Sequence, residues 1–124
     1  MKLLLDTHAV LWWQRDDRRL KPAARRAIAQ ADIVWVSAVS GWEASIKASL
    51  GRLRLTEPFA ILIAADDFTE LPMTLKHAAR LQDLPPHHAD PFDRMLIAQA
   101  LTEQATIVSH DRALAPYGAT MIWT

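Results

Sequence analysis

No cysteine occurs among the 124 residues, so the chain can build neither a disulfide framework nor a thiolate metal site. Any metal must be held by carboxylate, imidazole or water, which favours Mg²⁺ or Mn²⁺ over structural zinc. An excess of charge of one sign is missing too. Fourteen Lys and Arg balance fourteen Asp and Glu, so no overall basic field of the kind that marks many nucleic-acid binders is present. That balance does not exclude a nucleic-acid substrate, because a protein that takes phosphate through a bound cation needs only a few local Lys or Arg. Long apolar runs are absent as well. None approaches the roughly 18 to 20 residues of a membrane span, and Lys2 is followed by only three leucines before Asp6, which is no signal peptide. The expectation is a soluble, cytoplasmic protein with no membrane partner.

What is present is a half-apolar chain near the commonest domain length, and it reads as one domain spanning residues 1–124. Residues 2–6 read as a buried strand, and Thr7 as the cap of a helix through Trp13. Pro22 opens a second helix ending at Ala31, and the β-branched and aromatic run Ile33 to Val36 is a second strand. A helix then starts at Ser40 and stops at Gly51, another runs from Pro58 to Ala65, and Phe68 to Leu71 is a weak third strand. Thr74 caps a helix to about Gln82, and Asp90-Pro91 pairs an N-cap with a proline at the first position of a helix over 91–103. Thr106 to Ser109, a helical turn over 111–115, and Thr120 to Trp123 complete the alternation. Strands alternating with helices imply an α/β fold on a mainly parallel sheet.

The chemistry lies in the acids. Asp6 ends the first strand, Asp111 follows the fourth, and Asp90 and Asp93 share one helical face three residues apart. In open α/β sheets ligands bind beyond the carboxyl ends of the strands, so acids at such ends form a cluster whose repulsion a cation would relieve. Each acid also has a plain structural reading. Asp90 is a good N-cap, and Ser40-Gly41-Trp42-Glu43 has the form of a capping box in which Glu43 reaches back to the Ser40 amide. Joint placement of Asp6, Glu43, Asp93 and Asp111 on one side of the sheet favours the functional reading.

Five segments carry a resemblance: Leu3 to His8 as LLLDTH, Ser40 to Lys47 as SGWEASIK, Gly51 to Leu53 as GRL, His88 to Ala100 as HADPFDRMLIAQA, and Thr106 to Asp111 as TIVSHD. Together they resemble the PIN-domain ribonucleases, most closely the toxin members of bacterial VapBC toxin–antitoxin systems, over essentially the whole chain. The resemblance implies a three-layer α/β/α fold on a five-stranded parallel sheet of order 3-2-1-4-5. It implies a metal-dependent endoribonuclease using Mg²⁺ or Mn²⁺, held inactive by a VapB-like antitoxin, and a homodimer. By the same resemblance Asp6, Glu43, Asp93 and Asp111 take the places of the metal-site acids, with Asp90 an additional acid. Ser109 stands where the family has Thr or Ser near the fourth acid, with His110 interposed.

Lys47, Arg94 and Arg112, each near a site acid, are candidates either for RNA phosphate contacts or for salt bridges that position the acids. His87 and His88 lie in a loop after two prolines, where adjacent imidazoles do not converge easily, so a dedicated histidine metal site is not expected; His8 reads as a packing or hydrogen-bonding residue. Trp12 and Trp13 point about 100° apart on a helix, so at least one should be partly exposed and able to anchor a partner. Two further readings remain open. An aspartyl-phosphate enzyme would need a second acid at position 8, where this chain has histidine. A non-catalytic PIN-fold module binding protein or RNA would keep the acids only as helix caps.

Overall fold

The computed structural model describes all 124 residues. Strand β1 (Lys2–Leu5) is followed by α1 (Thr7–Gln14), α2 (Pro22–Gln30), β2 (Ile33–Ser37), α3 (Ala38–Ser49) and α4 (Phe59–Ala65). Then come β3 (Thr69–Leu71), α5 (Leu75–Gln82), α6 (Pro91–Glu103), β4 (Thr106–Ser109), a 3₁₀ helix (Arg112–Tyr117) and β5 (Met121–Trp123). All strand pairs are parallel, in the order β3-β2-β1-β4-β5. The sheet carries helices on both faces, and this is the α/β/α architecture the sequence implied.

Side-chain alternation along the strands divides the core in two. Leu3 and Leu5 of β1 point to one face with Val34, Val36 and Val108, where α1, α2 and α4 cover them through Val10, Ile28 and Ile63. Leu4 points to the other face with Ile107, and there Leu96, Ile97 and Ala100 of α6 close over it. Because both faces are covered, β1 is apolar at three consecutive positions rather than alternating. A third cluster of Val39, Met95 and Ala98 joins α3 to α6. No helix is long and apolar enough to cross a membrane.

Two helix starts differ from the sequence reading. Asp6, not Thr7, caps α1, its carboxylate accepting the Ala9 amide. Helix α3 begins at Ala38 with Ser37 as its cap, the hydroxyl accepting the Val39 amide at 3.0 Å. Strand and helix abut there with no loop, so the helix is already running when it reaches Ser40. Ser40 is therefore inside the helix rather than its cap, and its buried hydroxyl has no hydrogen-bond partner. The expected capping box does not form, and Glu43 is left free of it.

The chain order reverses between β1 and β4. From β1 the sheet grows outward to β2 and β3 on one side, and to β4 and β5 on the other. At such a switch point the connections leave in opposite directions and a crevice opens beyond the strand ends. The Asp6 amide donates to the Val108 carbonyl at 3.1 Å, which sets Asp6 level with the end of β4.

Candidate metal centre

The five acids singled out in the sequence come from four separate stretches of chain, and the fold brings all of them to that crevice. Its volume is about 150 Å³, its wall is formed by Asp6, Thr7, His8, Glu43, Lys47, Asp90, Asp93, His110 and Asp111, and no apolar side chain lines it. A larger cleft of about 390 Å³ lies at the opposite end of the sheet, where Asp32, Asp66 and Asp67 sit among seven apolar residues and do not converge into a metal-ligating group. Donor chemistry, not volume, selects the site.

Local structure fixes each carboxylate. Asp6 holds its Oδ1 on the Ala9 amide at 2.8 Å, at the start of α1, while its Oδ2 stands 3.9 Å from His110 Nδ1. Glu43 is buried and held at both oxygens: Thr7 Oγ1 donates to Oε1 at 2.6 Å, and Lys47 Nζ, one turn on, donates to Oε2 at 3.0 Å. Asp90 caps α6, its Oδ1 accepting the amides of Phe92 at 2.8 Å and Asp93 at 3.3 Å. It therefore performs the capping role and also lines the crevice. Asp111 caps the 3₁₀ helix by accepting the Ala113 amide at 3.0 Å, and its own amide donates to Ser109 Oγ at 3.0 Å.

His88 completes the group in a way the sequence reading did not expect. Its Nε2 is 3.0 Å from Asp93 Oδ2 and 3.4 Å from Asp111 Oδ2, and one ligand atom from each of the three lies within 4.8 Å of the others. His87 turns away and packs edge-on against Tyr117 at 5.2 Å. The two imidazoles diverge, as the loop argument held, but one of them alone reaches the acids. No sequence signal marks it: His88 is two residues ahead of the Asp90 cap, in a loop without periodicity, and only the path of the backbone carries its ring back over the first turn of α6.

The expected cations separate. Lys47 lines the crevice. Arg94 does not reach it: Nη1 donates to the Pro85 carbonyl at 2.9 Å and the Tyr117 hydroxyl at 3.0 Å, tying the preceding loop to the 3₁₀ helix. Arg112 lies over the Trp123 ring, 4.6 Å from its centroid, also outside the crevice.

Among the lining residues five carboxylates face one lysine. Burial pushes the Asp6 carboxyl above its usual value, opposed by the Ser109 hydroxyl, the Ala9 amide and His110. Asp93 is also raised, first by burial, with the His88 hydrogen bond pulling down and the like charges of Asp90 and Glu43 pushing up. His8 is lowered by burial and by the neighbouring His110 and Lys47, which favours its neutral form. Carboxylates that ionise against burial and against one another are relieved by a cation, and oxygen donors with no thiolate fit a hard divalent ion.

A sequence profile of the PIN domain matches residues 3–119. The chain belongs to the PIN-domain family. It is 33% identical over 115 residues to Ribonuclease VapC22 of Mycobacterium tuberculosis, an alignment that covers 90% of this chain and 88% of that protein. Among solved structures, the PIN fold seen here superposes on a chain of VapBC2 from Rickettsia felis bound to a promoter DNA fragment, with a TM-score of 0.74, 11% identity and 98% of both chains covered. It also superposes on a chain of DNA-bound VapBC from Salmonella typhimurium, with a TM-score of 0.72, 14% identity, 98% of this chain and 97% of that one. At those identities the two structures bear on the fold alone.

Proposed function

We propose that this protein, as a single PIN domain over residues 1–124, is a metal-dependent endoribonuclease and the toxin of a VapBC-type pair. The observation that carries the reading is the convergence of Asp6, Glu43, Asp93 and Asp111, from four distant parts of the chain, on one apolar-free crevice. The likeness to Ribonuclease VapC22 supports RNA as the substrate.

Asp6, Glu43, Asp90, Asp93 and Asp111 would hold Mg²⁺ or Mn²⁺, which when bound supplies Lewis acidity toward the scissile phosphate and activates water for attack. The chain's own part is positional and electrostatic. Glu43, gripped at both oxygens by Thr7 and Lys47, presents a carboxylate that cannot rotate away. Lys47 brings positive charge to where a phosphate enters. Asp93, whose carboxyl is raised first by burial, is placed to orient a water as general base, and His88 at 3.0 Å holds it in position.

The likeness to Ribonuclease VapC22 supports a VapB-like antitoxin as inhibitor, and a homodimer is the working unit that the resemblance in sequence implies. An anchor for either partner is present on α3: Trp42 is 60% exposed, and its ring meets Phe92 of α6 at 5.0 Å, edge-on. The deciding experiment incubates the purified protein with labelled RNA in EDTA and then with added Mn²⁺ or Mg²⁺. Cleavage should appear only with the cation and vanish in Asp6→Asn. RNA that is bound but never cut under any cation would instead favour a non-catalytic PIN-fold module.

A further inference from the structure

A second cleft opens beside the acids and carries the opposite charge. It encloses about 350 Å³, and Arg15, Arg19, Lys47 and Arg52 line it with no acid among them, over a floor that includes Leu11, Trp12 and Leu53. Thr7, His8 and Lys47 line both clefts, so the two form one continuous trough with His8 on the divide. In a chain of zero formal net charge this is a local concentration of cations.

Their structural employment is incomplete. Arg19 is paired with Asp17 at 2.7 Å and lies over the Trp12 ring at 4.7 Å. Arg15 donates only to the neutral Arg54 carbonyl, at 3.1 Å, and makes no ion pair. Arg52 is exposed, and its side chain makes no hydrogen bond or ion pair. On the divide, the exposed His8 ring packs edge-on to His110 at 4.8 Å and stands 5.7 Å from buried Trp12, a small aromatic platform held from below.

We propose that this cleft is a binding subsite for the backbone phosphates of a single-stranded RNA that flank the phosphate lying among the acids. Arg15 and Arg52 contact those phosphates, and His8 offers its ring to the base between the two clefts. The proposal rests on the nuclease reading for the placement of the scissile phosphate. A single strand is the occupant because an exposed ring at the divide of a concave trough stacks on unpaired bases, whereas a duplex hides its base faces.

The test is the salt dependence of binding. Fluorescence anisotropy of a labelled uridine oligonucleotide is measured in EDTA, so that cleavage plays no part. Each phosphate contact adds about 0.7 to the slope of log affinity against log salt for single strands. Arg15→Gln and Arg52→Gln should each flatten the slope by about 0.7, and the double variant by about 1.4. Lys76→Gln, an equal loss of charge on α5, should keep the wild-type slope. Thermal melts confirm that the variants fold. Wild-type slope and affinity in the folded double variant overturn the subsite, and so does an effect confined to antitoxin binding, which would assign the cleft to the protein partner. If the slopes change as expected but no cation supports cleavage, the nuclease reading fails and the RNA subsite stands.

Discussion

Replacing Asp93 by Asn should stabilise the metal-free protein while destroying its response to metal. Carboxylate oxygens of Asp93 and Asp111 lie within 4.8 Å of each other. At an effective dielectric of 20, a carboxylate pair at that 4.8 Å limit corresponds to roughly 3.5 kcal/mol of repulsion. The two side chains are 23% and 34% exposed and share His88, so screening and that neighbour reduce the figure to about 1 to 2 kcal/mol. Asn keeps an acceptor for His88, and weakening of that bond offsets about 0.5 kcal/mol of the gain. In EDTA the variant should therefore melt a few degrees above wild type, since 1 kcal/mol moves a chain of this size by roughly 3 to 6 °C. With Mn²⁺ at about a hundred times its dissociation constant, the wild type gains about 2.7 kcal/mol and overtakes the variant, which gains much less. Differential scanning fluorimetry across a Mn²⁺ titration reads both halves. A variant less stable than wild type in EDTA, with an undiminished Mn²⁺ response, would refute the idea that these acids repel one another around a cation site.

Asp90→Ala should cost about 0.5 to 2 kcal/mol through loss of the α6 cap, read as a lower melting point, whereas Asp90→Asn should be nearly neutral because an Asn oxygen caps as well as an Asp oxygen. Asp6→Asn should abolish RNA cleavage with the fold intact by circular dichroism, and wild-type turnover in that variant would remove Asp6 from the site. The pH dependence follows from burial holding the Asp93 carboxyl above 3.8: the folded state takes up its proton first, so this contribution to stability is fully present below 3.8 and is lost as pH rises through the raised folded value. The advantage of Asp93→Asn over wild type in EDTA should accordingly shrink as pH falls from 7 toward the raised value, and an advantage independent of pH would mean that Asp93 does not titrate as argued. His88→Gln should weaken Mn²⁺ binding more than Mg²⁺ binding, because imidazole suits the transition metal better; isothermal titration showing equal losses would make His88 a positioning residue only.

Much of the fold was legible because the signals were local and redundant. In α6 an Asp cap, a proline at the first helical position and a run of good helix formers agree, and the helix spans Pro91–Glu103 as read. Thr74 caps α5 as expected, with His77 supplying the reciprocal half of the box through its ring nitrogen. The errors arose where one local signal was allowed to outvote the layout. Ser-x-x-Glu at residues 40–43 looks like a helix start, but β2 runs straight into α3 at Ser37 and the helix begins three residues earlier. The tryptophans show the same limit. Trp12 is buried and Trp13 partly exposed, as two residues 100° apart must be, yet the most exposed ring is Trp42, which the spacing did not single out.

The acids were readable as a set because the switch point of a parallel sheet is a topological property, and topology follows from the order of strands and helices. The groups between the acids were not readable in the same way. His88 and Arg94 are six residues apart, one in the loop before α6 and one in its first turns, and composition treats both as generic partners for phosphate or metal. Helical phase separates them. Asp93 faces the crevice, and its neighbour Arg94, about 100° further round the helix, faces the Pro85 loop and Tyr117 instead. His88 sits ahead of the helix, where no periodicity constrains it, and the turn at Asp90 carries its ring back onto Asp93. A candidate residue on a helix can be accepted or rejected from phase once one neighbouring ligand is known, while a loop residue needs the path of the backbone. That asymmetry explains why Arg94 and Arg112 lie outside the crevice while Lys47, one turn from Glu43 on α3, lines it.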